Sequence, residues 1–184
     1  LRHDNIVGYA DHYVQSSERH PMDYLSTVIT DRGWGHLAVG VEMDNYWFSA
    51  AAYTSLQTHL TTNRFLDATG LVNWQRAEKS PQELEYMRIA GRIVGKMHER
   101  ILAKAEPGIR KCDLVAEIWD AGLRGVDGYG GDYPAIVPLL PTGKDASAAH
   151  LTWDDAELEP EQATFFEIAG CYRHYHAPLC RTIH

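Results

Sequence analysis

A glutamate within an apolar segment near the end of the sequence is the first candidate for chemistry. Residues 164–169 read Thr-Phe-Phe-Glu-Ile-Ala, which is typical of a buried β-strand except for Glu167. Because an unpaired charge is very costly to bury, this carboxylate must be paired, protonated or used. Glu167 is therefore interpreted either as a nucleophile or base in a partly desolvated strand, or as the ion-pair partner of Arg173 or Arg181 across a hairpin.

Two histidines follow this glutamate. The chain is predicted to turn at Gly170 and to continue as an alternating strand that carries His174 and His176. Residues two apart in a strand point to the same face, so this spacing fits two metal ligands or a pair that faces a substrate. The alternative is the solvated polar face of an edge strand, which Pro178 favours.

His150 and Asp132 belong to segments that read as loops. His150 ends a stretch of small residues in which an imidazole can approach a ligand, and the alternative is an ordinary surface histidine. Asp132 follows two glycines, where turn chemistry is favoured over a ligand role. Cys171 and Cys180 flank the histidine pair, but nothing beside them marks a thiolate nucleophile.

Composition excludes several classes of function. The 184 residues carry a formal net charge of -8, which gives no electrostatic footprint for nucleic acid or an anionic membrane. The sequence has no apolar run long enough to span a bilayer and no signal-peptide pattern, and its three cysteines lack the spacing of a zinc knuckle. A reducing cytoplasm is expected. The start without methionine and the stop directly after a strand suggest a fragment of a longer protein, expected to be inactive alone.

The first part of the chain alternates helix and strand signals, which predicts a small α/β layer. After an extended or looped start, the predicted elements are a helix from Pro21 to Gly33, a strand over 36–42, a helix over 50–60 capped by Ser49, and a strand over 66–74.

A capping box marks the next helix. Ser80 and Glu83 are spaced for reciprocal side-chain to backbone hydrogen bonds, and Pro81 stands at the first helical position. Apolar residues at three- and four-residue spacing follow, which predicts a long amphipathic helix that ends before Pro107-Gly108. A second helix is predicted over residues 110–123.

Together these features resemble the creatinase/aminopeptidase P/prolidase superfamily. The resemblance rests on the capped helix, the loop histidine, a strand pair closing on Arg181-Thr182, and strings at residues 44–46, 72–76, 130–138, 165–170 and 173–179. It covers essentially the whole chain and implies an α+β fold. Residues 78–184 would form a truncated pita-bread catalytic domain, preceded over residues 1–77 by the end of a creatinase-type N-terminal α/β domain.

Departures from the superfamily pattern bear on metal binding. Metallopeptidases of this fold carry one metal-binding aspartate in the first strand and another eleven residues later, just before the Arg-Thr pair. Those positions are Glu167 and Pro178 here, and proline has no ligand atom. The resemblance therefore implies metal-independent chemistry with no cofactor, as in the creatinase branch. The loop histidine that these enzymes use for proton transfer corresponds to His150.

Within the superfamily the strings are most similar to the branch that hydrolyses ectoine, a cyclic amidine with a carboxylate. The implied reaction opens the ring to N-acetyl-2,4-diaminobutyrate. Glu167 would attack the amidinium carbon or activate water, and His150 would deliver a proton to the leaving nitrogen. An arginine would hold the substrate carboxylate. The residues expected to bind the substrate are Asp132, Arg173, Tyr175, His176 and Arg181.

The expected partners follow from this resemblance. They are a small ectoine-like molecule and a second copy of the chain in a homodimer, with no nucleic acid and no membrane. Two alternatives remain. One is a metal-dependent Xaa-Pro aminopeptidase or prolidase, against which Pro178 counts, and the other is a catalytically inactive pita-bread binding module.

Overall fold

The computed structural model describes residues 2–184, so Leu1 lies outside the described residues. The chain falls into two compact units, one ending at Glu78 and the other beginning at Lys79. Among the helices of residues 2–184, none combines the length and apolar character needed to cross a membrane.

The first unit is a small α/β arrangement, as the alternating signals predict. Two parallel strands pair in register from Ala38 opposite Arg64 to Val41 opposite Asp67. Its buried core is formed by Val41, Leu56 and Leu60. The elements in chain order are α1 (Pro21–Asp31), β1 (Ala38–Val41), α2 (Ala50–His59), β2 (Arg64–Asp67) and α3 (Leu71–Ala77).

Helix α2 starts at its predicted cap, whereas the last predicted strand of this unit is wrong. Ser49 Oγ accepts a hydrogen bond of 3.2 Å from the Ala52 amide, which confirms the predicted cap of α2. The strand predicted over 66–74 ends at Asp67, because the Asp67 carboxylate accepts from the Thr69 amide at 2.8 Å and turns the chain. The apolar residues after this turn belong to α3 and are exposed, so their pattern imitated a strand without being buried.

The second unit packs two helices against a β-hairpin. Its elements are α4 (Pro81–Lys104), α5 (Lys111–Arg124), β3 (Thr164–Tyr172) and β4 (Tyr175–Ile183). The predicted capping box is confirmed: Ser80 Oγ accepts from the Glu83 amide at 3.3 Å, and Glu83 Oε2 accepts from the Ser80 amide at 2.7 Å. The core side chains that share near-complete burial are Ile93, Ile101, Leu114, Ile118, Leu140, Phe166 and Ile168.

Strand β3 has a backbone neighbour on each side. It pairs antiparallel with β4 in a register that places Glu167 opposite Cys180. On its other side, the Leu139 amide donates to the Glu167 carbonyl at 3.0 Å and the Glu167 amide donates to the Leu139 carbonyl at 3.1 Å. Phe165 donates similarly to the Pro141 carbonyl. The proline-containing segment therefore lies at an edge, which is the position that proline tolerates beside a strand.

The hairpin turn lies at Arg173–His174, and the prediction of a turn at Gly170 is wrong. Both turn residues have left-handed backbones, with φ of 51° and 62°, as a tight two-residue hairpin requires. Gly170 stays within β3 because the strand passes close to α4 there. A Cβ at this position would overlap the Ala90 carbonyl oxygen and lie 2.6 Å from the Val94 amide nitrogen. Glycine serves close packing here, and the turn is made by other residues.

His98 is a buried titratable group between α4 and β4, and the direction of its pKa shift predicts a pH-dependent stability for this unit. Its Nε2 lies 3.3 Å from the Leu179 carbonyl oxygen, and the residue is 8% exposed. Burial lowers the pKa of His98 from its ordinary value of 6.5, and the nearby positive charge of Arg181 acts in the same direction, against the Leu179 carbonyl.

Because the unfolded chain has the higher pKa at His98, it takes up the proton first as the pH falls. We expect the free energy of unfolding to decrease below about pH 6.5. His98→Gln retains an amide donor for the Leu179 carbonyl and should flatten this part of the profile. Urea unfolding at a series of pH values measures the effect, and equal slopes for the two proteins would contradict it.

Candidate active site

The two faces of the hairpin have different surroundings. Side chains alternate along a strand, and residues directly opposite in an antiparallel pair point the same way. One face, here called the helix face, carries Phe166, Ile168 and Gly170 and packs on α4. The other, called the site face, carries Glu167, Ala169 and Cys171 on β3 and His176, Pro178 and Cys180 on β4.

Glu167 is held on the site face by main-chain bonds. Because its amide and carbonyl both bond to Leu139, its pairing with Cys180 is of the non-hydrogen-bonded kind, which brings opposite side chains closest. The Glu167 side chain is 21% exposed. The predicted strand glutamate is therefore a partly desolvated carboxylate with a fixed backbone and an accessible side chain.

The His150 imidazole lies beside this carboxylate. Its Nε2 lies 3.5 Å from Glu167 Oε2, and its side chain is 71% exposed. The backbone of His150 is left-handed, with φ of 61°, which turns the loop so that the imidazole meets the strand. The structure thus brings together the two residues predicted to be catalytic. The predicted alternative of an ion pair from Glu167 to Arg173 or Arg181 finds no counterpart among the bonds seen within residues 2–184.

A carboxylate and an imidazole at this distance can divide the work of acyl-type hydrolysis. The carboxylate can attack an electrophilic carbon or remove a proton from water, and the imidazole can carry a proton to a leaving group. Since His150 is exposed, it can exchange that proton with solvent between turnovers.

His176 also lies on the site face, but both ring nitrogens contact the backbone. Nε2 accepts a 2.9 Å hydrogen bond from the Ala135 amide, so the proton of the neutral ring is on Nδ1, which donates to the His174 carbonyl at 3.0 Å. His176 therefore fastens the loop around Ala135 to the hairpin. The prediction that His174 and His176 share one face of a strand is wrong, because His174 is a turn residue.

Asp132 makes the second link between this loop and the hairpin. Its amide donates to the Cys171 carbonyl at 3.0 Å, and its Oδ2 accepts from the His174 amide at 3.2 Å. Burial raises the pKa of the Cys171 thiol, and the charge of Asp132 adds to the effect. Asp132 thus does more than the turn chemistry that its glycine-rich context predicts.

Three predicted substrate-binding residues lie away from Glu167. Tyr175 donates from its hydroxyl to Glu83 Oε1 at 2.8 Å, on the helix face. Arg181 stands opposite Phe166 and so starts from the helix face as well. Arg173 lies in the turn, with its guanidinium 5.7 Å from the centre of the Tyr172 ring. Arg173 follows Tyr172, which lies five residues or about 17 Å along β3 from Glu167, so the turn is remote from this carboxylate.

Sequence reasoning missed the position of Cys180. This exposed thiol stands directly opposite Glu167 on the site face. The signal was the hairpin register. A two-residue turn at Arg173–His174 places Tyr172 opposite Tyr175, and counting back five residues on one strand and forward five on the other places Glu167 opposite Cys180. A turn placed at Gly170 gives a different register, in which Cys180 is not the residue opposite Glu167.

The site face does not supply the two-aspartate metal site of the superfamily. Pro178 stands opposite Ala169, is exposed, and offers no ligand atom. Pro178 therefore cannot supply the second carboxylate of the dinuclear centre, and no step of the chemistry is assigned to it.

Comparison with known proteins identifies the family. Ectoine hydrolase of Halomonas elongata is 58% identical over 187 residues, which cover 98% of this chain and 47% of that protein. X-Pro aminopeptidase of Thermotoga maritima superposes with a TM-score of 0.72 at 15% identity, over 96% of this chain and 49% of that one. Xaa-Pro dipeptidase of Bacillus anthracis gives a TM-score of 0.73 at 17% identity, over 97% and 56%.

The chain spans about half the length of the curated relatives that it matches. The structural likenesses confirm the α+β pita-bread fold that the sequence strings imply. The sequence profile of metallopeptidase family M24 matches residues 85–184, which include most of α4, the histidine loop and the hairpin. The chain belongs to metallopeptidase family M24.

Proposed function

We propose that this protein hydrolyses the cyclic amidine ring of ectoine to N-acetyl-2,4-diaminobutyrate without a metal. The observation that carries the proposal is the Glu167–His150 pair, with its atoms 3.5 Å apart on the site face. The 58% identity to an ectoine hydrolase supports the substrate. Residues 1–77 and 78–184 are proposed as the end of the N-terminal domain and the first half of the catalytic domain.

The substrate makes a metal unnecessary in this mechanism. The carbon between the two nitrogens of an amidinium is already electron-poor, so it needs no Lewis acid to polarise it. Glu167 attacks this carbon to give an acyl-type intermediate, or removes a proton from a water molecule that attacks it. His150 delivers a proton to the ring nitrogen that leaves. Overall, one water is added, one C–N bond breaks, and the acetyl group stays on the other nitrogen.

We propose different roles for the other site residues, based on their contacts in the structure. His176 and Asp132 act by holding the loop at Ala135 against the hairpin, through the two ring nitrogens of His176 and Oδ2 of Asp132. Arg173, Tyr175 and Arg181 are not needed for the chemistry in this proposal, since the fold directs them elsewhere. The proposed homodimer rests on the family resemblance, and the proposed cytoplasmic location rests on the cysteine pattern of the sequence.

A substrate panel with and without metal tests the function. We expect turnover of ectoine by the complete protein, with little or no hydrolysis of an Xaa-Pro dipeptide or creatine. Pre-treatment with a chelator should leave the ectoine rate unchanged within about twofold, since no step uses a metal. Activity that disappears with chelator and returns with manganese or cobalt would overturn the metal-free mechanism. Preferential cleavage of the dipeptide would favour the aminopeptidase alternative.

His150→Asn tests the proton-transfer role. Asparagine tolerates the left-handed backbone at this position, so the loop should keep its path while the imidazole is lost. We expect kcat for ectoine to fall by about 10²–10⁴-fold, the usual contribution of general acid–base catalysis. Steady-state assays over a range of pH measure the loss, with His36→Asn, an exposed histidine in the first unit, as matched control. A His150→Asn rate equal to that of the control would refute the role.

A further inference from the structure

A second group of potential ligands lies at the turn end of the hairpin. One carboxylate oxygen of Asp132, Sγ of Cys171 and one ring nitrogen of His174 all lie within 4.8 Å of one another. Cys171 is four residues beyond Glu167 on β3, which corresponds to about 13 Å along the strand. The cluster is therefore separate from the Glu167–His150 pair.

The backbone fixes the three donors independently of any ligand. Asp132 is placed by its amide bond to the Cys171 carbonyl, and its Oδ2 accepts from the His174 amide. Gly131, just before it, passes so close to the Gly122 carbonyl oxygen that a Cβ would overlap that atom. The left-handed turn brings His174 back over Cys171. Two separate lengths of chain, namely the glycine-rich loop and the continuous stretch from the end of β3 through the turn, thus converge on one point.

We propose that Asp132, Cys171 and His174 bind one zinc-class divalent ion. Carboxylate oxygen, thiolate sulfur and imidazole nitrogen form a mixed donor set that suits Zn²⁺ or Co²⁺ better than Mg²⁺ or Ca²⁺, which prefer oxygen alone. Three protein ligands leave a fourth tetrahedral position for water. His174 is exposed, so the ion has a path from solvent and the ring can adjust to it.

The geometry requires only small movements of the side chains. Metal–ligand bonds of about 2.0 Å to oxygen and nitrogen and about 2.3 Å to sulfur place tetrahedral ligands roughly 3.3–3.7 Å apart. Closing the cluster from its present spacing needs shifts of about 1 Å, which exposed His174 can supply. On binding, the Cys171 S–H bond breaks, the sulfur–metal bond forms, and the proton leaves to solvent.

Cysteine, histidine and aspartate also occur together in enzymes in which a thiolate attacks the substrate and the imidazole acts as its base. The burial of Cys171 argues against that use here. The residue is 1% exposed and forms part of the site face beneath the loop, so a substrate carbon has no approach to its sulfur. A metal ion can be reached from the side of His174 and Asp132 while the thiolate stays buried.

Cobalt titration of the metal-stripped chain tests this site without using activity. We expect one equivalent of Co²⁺ to produce a thiolate-to-cobalt charge-transfer band in the near ultraviolet. Cys171→Ser should abolish the band. His174→Asn and Asp132→Asn should weaken Co²⁺ binding by at least about tenfold, because outer partners alone give 10–100-fold effects. In His174→Asn, asparagine tolerates the left-handed backbone of the turn. In Asp132→Asn, the amide oxygen can still accept from the His174 amide.

Two matched controls separate this site from the proposed function. Cys180→Ser and Glu167→Gln remove the other thiol and the carboxylate of the site face, and both should keep the band. A wild-type chain that gives no band, or a band that survives Cys171→Ser and is lost with Cys180→Ser, would overturn the proposal.

Circular dichroism verifies the fold of each variant. If Cys171→Ser misfolds, the exposed His174→Asn variant decides, because unchanged Co²⁺ affinity there also refutes the site. Ectoine turnover by Cys171→Ser, measured with chelator present, tests the metal-free function separately. If that turnover persists while the cobalt band is lost, metal binding at Cys171 and ectoine hydrolysis are independent properties.

Discussion

Glu167→Gln is expected to reduce ectoine turnover by about 10³-fold or more, because the amide can neither attack the amidinium carbon nor accept a proton from water. The substitution keeps the size of the side chain, and the backbone of residue 167 remains paired with Leu139, so folding should be unaffected. Steady-state assays with ectoine measure the loss. Glu157→Gln, at an exposed carboxylate in the loop before β3, is the matched control and should retain wild-type rates.

A nucleophile and a base give different results in an acid-quench experiment. If Glu167 attacks the substrate, rapid quenching during turnover should leave a covalent adduct on the peptide that contains residue 167, detectable by mass spectrometry. If it activates water, no adduct forms although the rate still falls in Glu167→Gln. Undiminished turnover by a folded Glu167→Gln protein would rule out both roles.

Gly170→Ala is expected to lower the free energy of unfolding of the second unit by about 3 kcal/mol or more, at the upper end of overpacking effects. The new methyl group would overlap the Ala90 carbonyl oxygen and approach the Val94 amide nitrogen to 2.6 Å. Both neighbours are main-chain atoms of α4, so the helix and the strand must move apart. Urea unfolding measures the change.

Gly95→Ala is the matched control for Gly170→Ala. It makes the same chemical change within α4, where a Cβ would meet nothing within 4 Å. Alanine is the better helix former by about 0.5–1 kcal/mol, so this variant should be slightly more stable than wild type. If the two substitutions lower stability equally, close strand–helix contact is not the reason for glycine at position 170.

The elements that local chemistry specifies were predictable from the sequence. Ser80, Pro81 and Glu83 determine where α4 begins, and their hydrogen bonds are made within four residues of chain. The meeting of Glu167 with His150 was also predictable, but only through the family resemblance. The two residues lie in different segments, and no local rule brings a loop imidazole to within 3.5 Å of a strand carboxylate.

The faces of the hairpin could not be predicted because they depend on register. Glycine is the usual signal for a turn, and Gly170 carried that signal while serving contact with α4. Arg173 and His174 adopt the left-handed conformations of the turn without being glycines. Moving the turn changes which residues oppose one another, so Tyr175 and Arg181 fall on the helix face and Cys180 comes to stand beside Glu167.

The separation of the hairpin into two faces also determines which of its positions can vary without loss of packing. Phe166, Ile168 and Gly170 carry the packing on α4, whereas Glu167 and Pro178 project from the opposite side. Substitutions at the latter two positions can exchange a metal-binding carboxylate for a proline without disturbing the core. The site face can therefore change its chemical groups while the packing of the other face on α4 is kept.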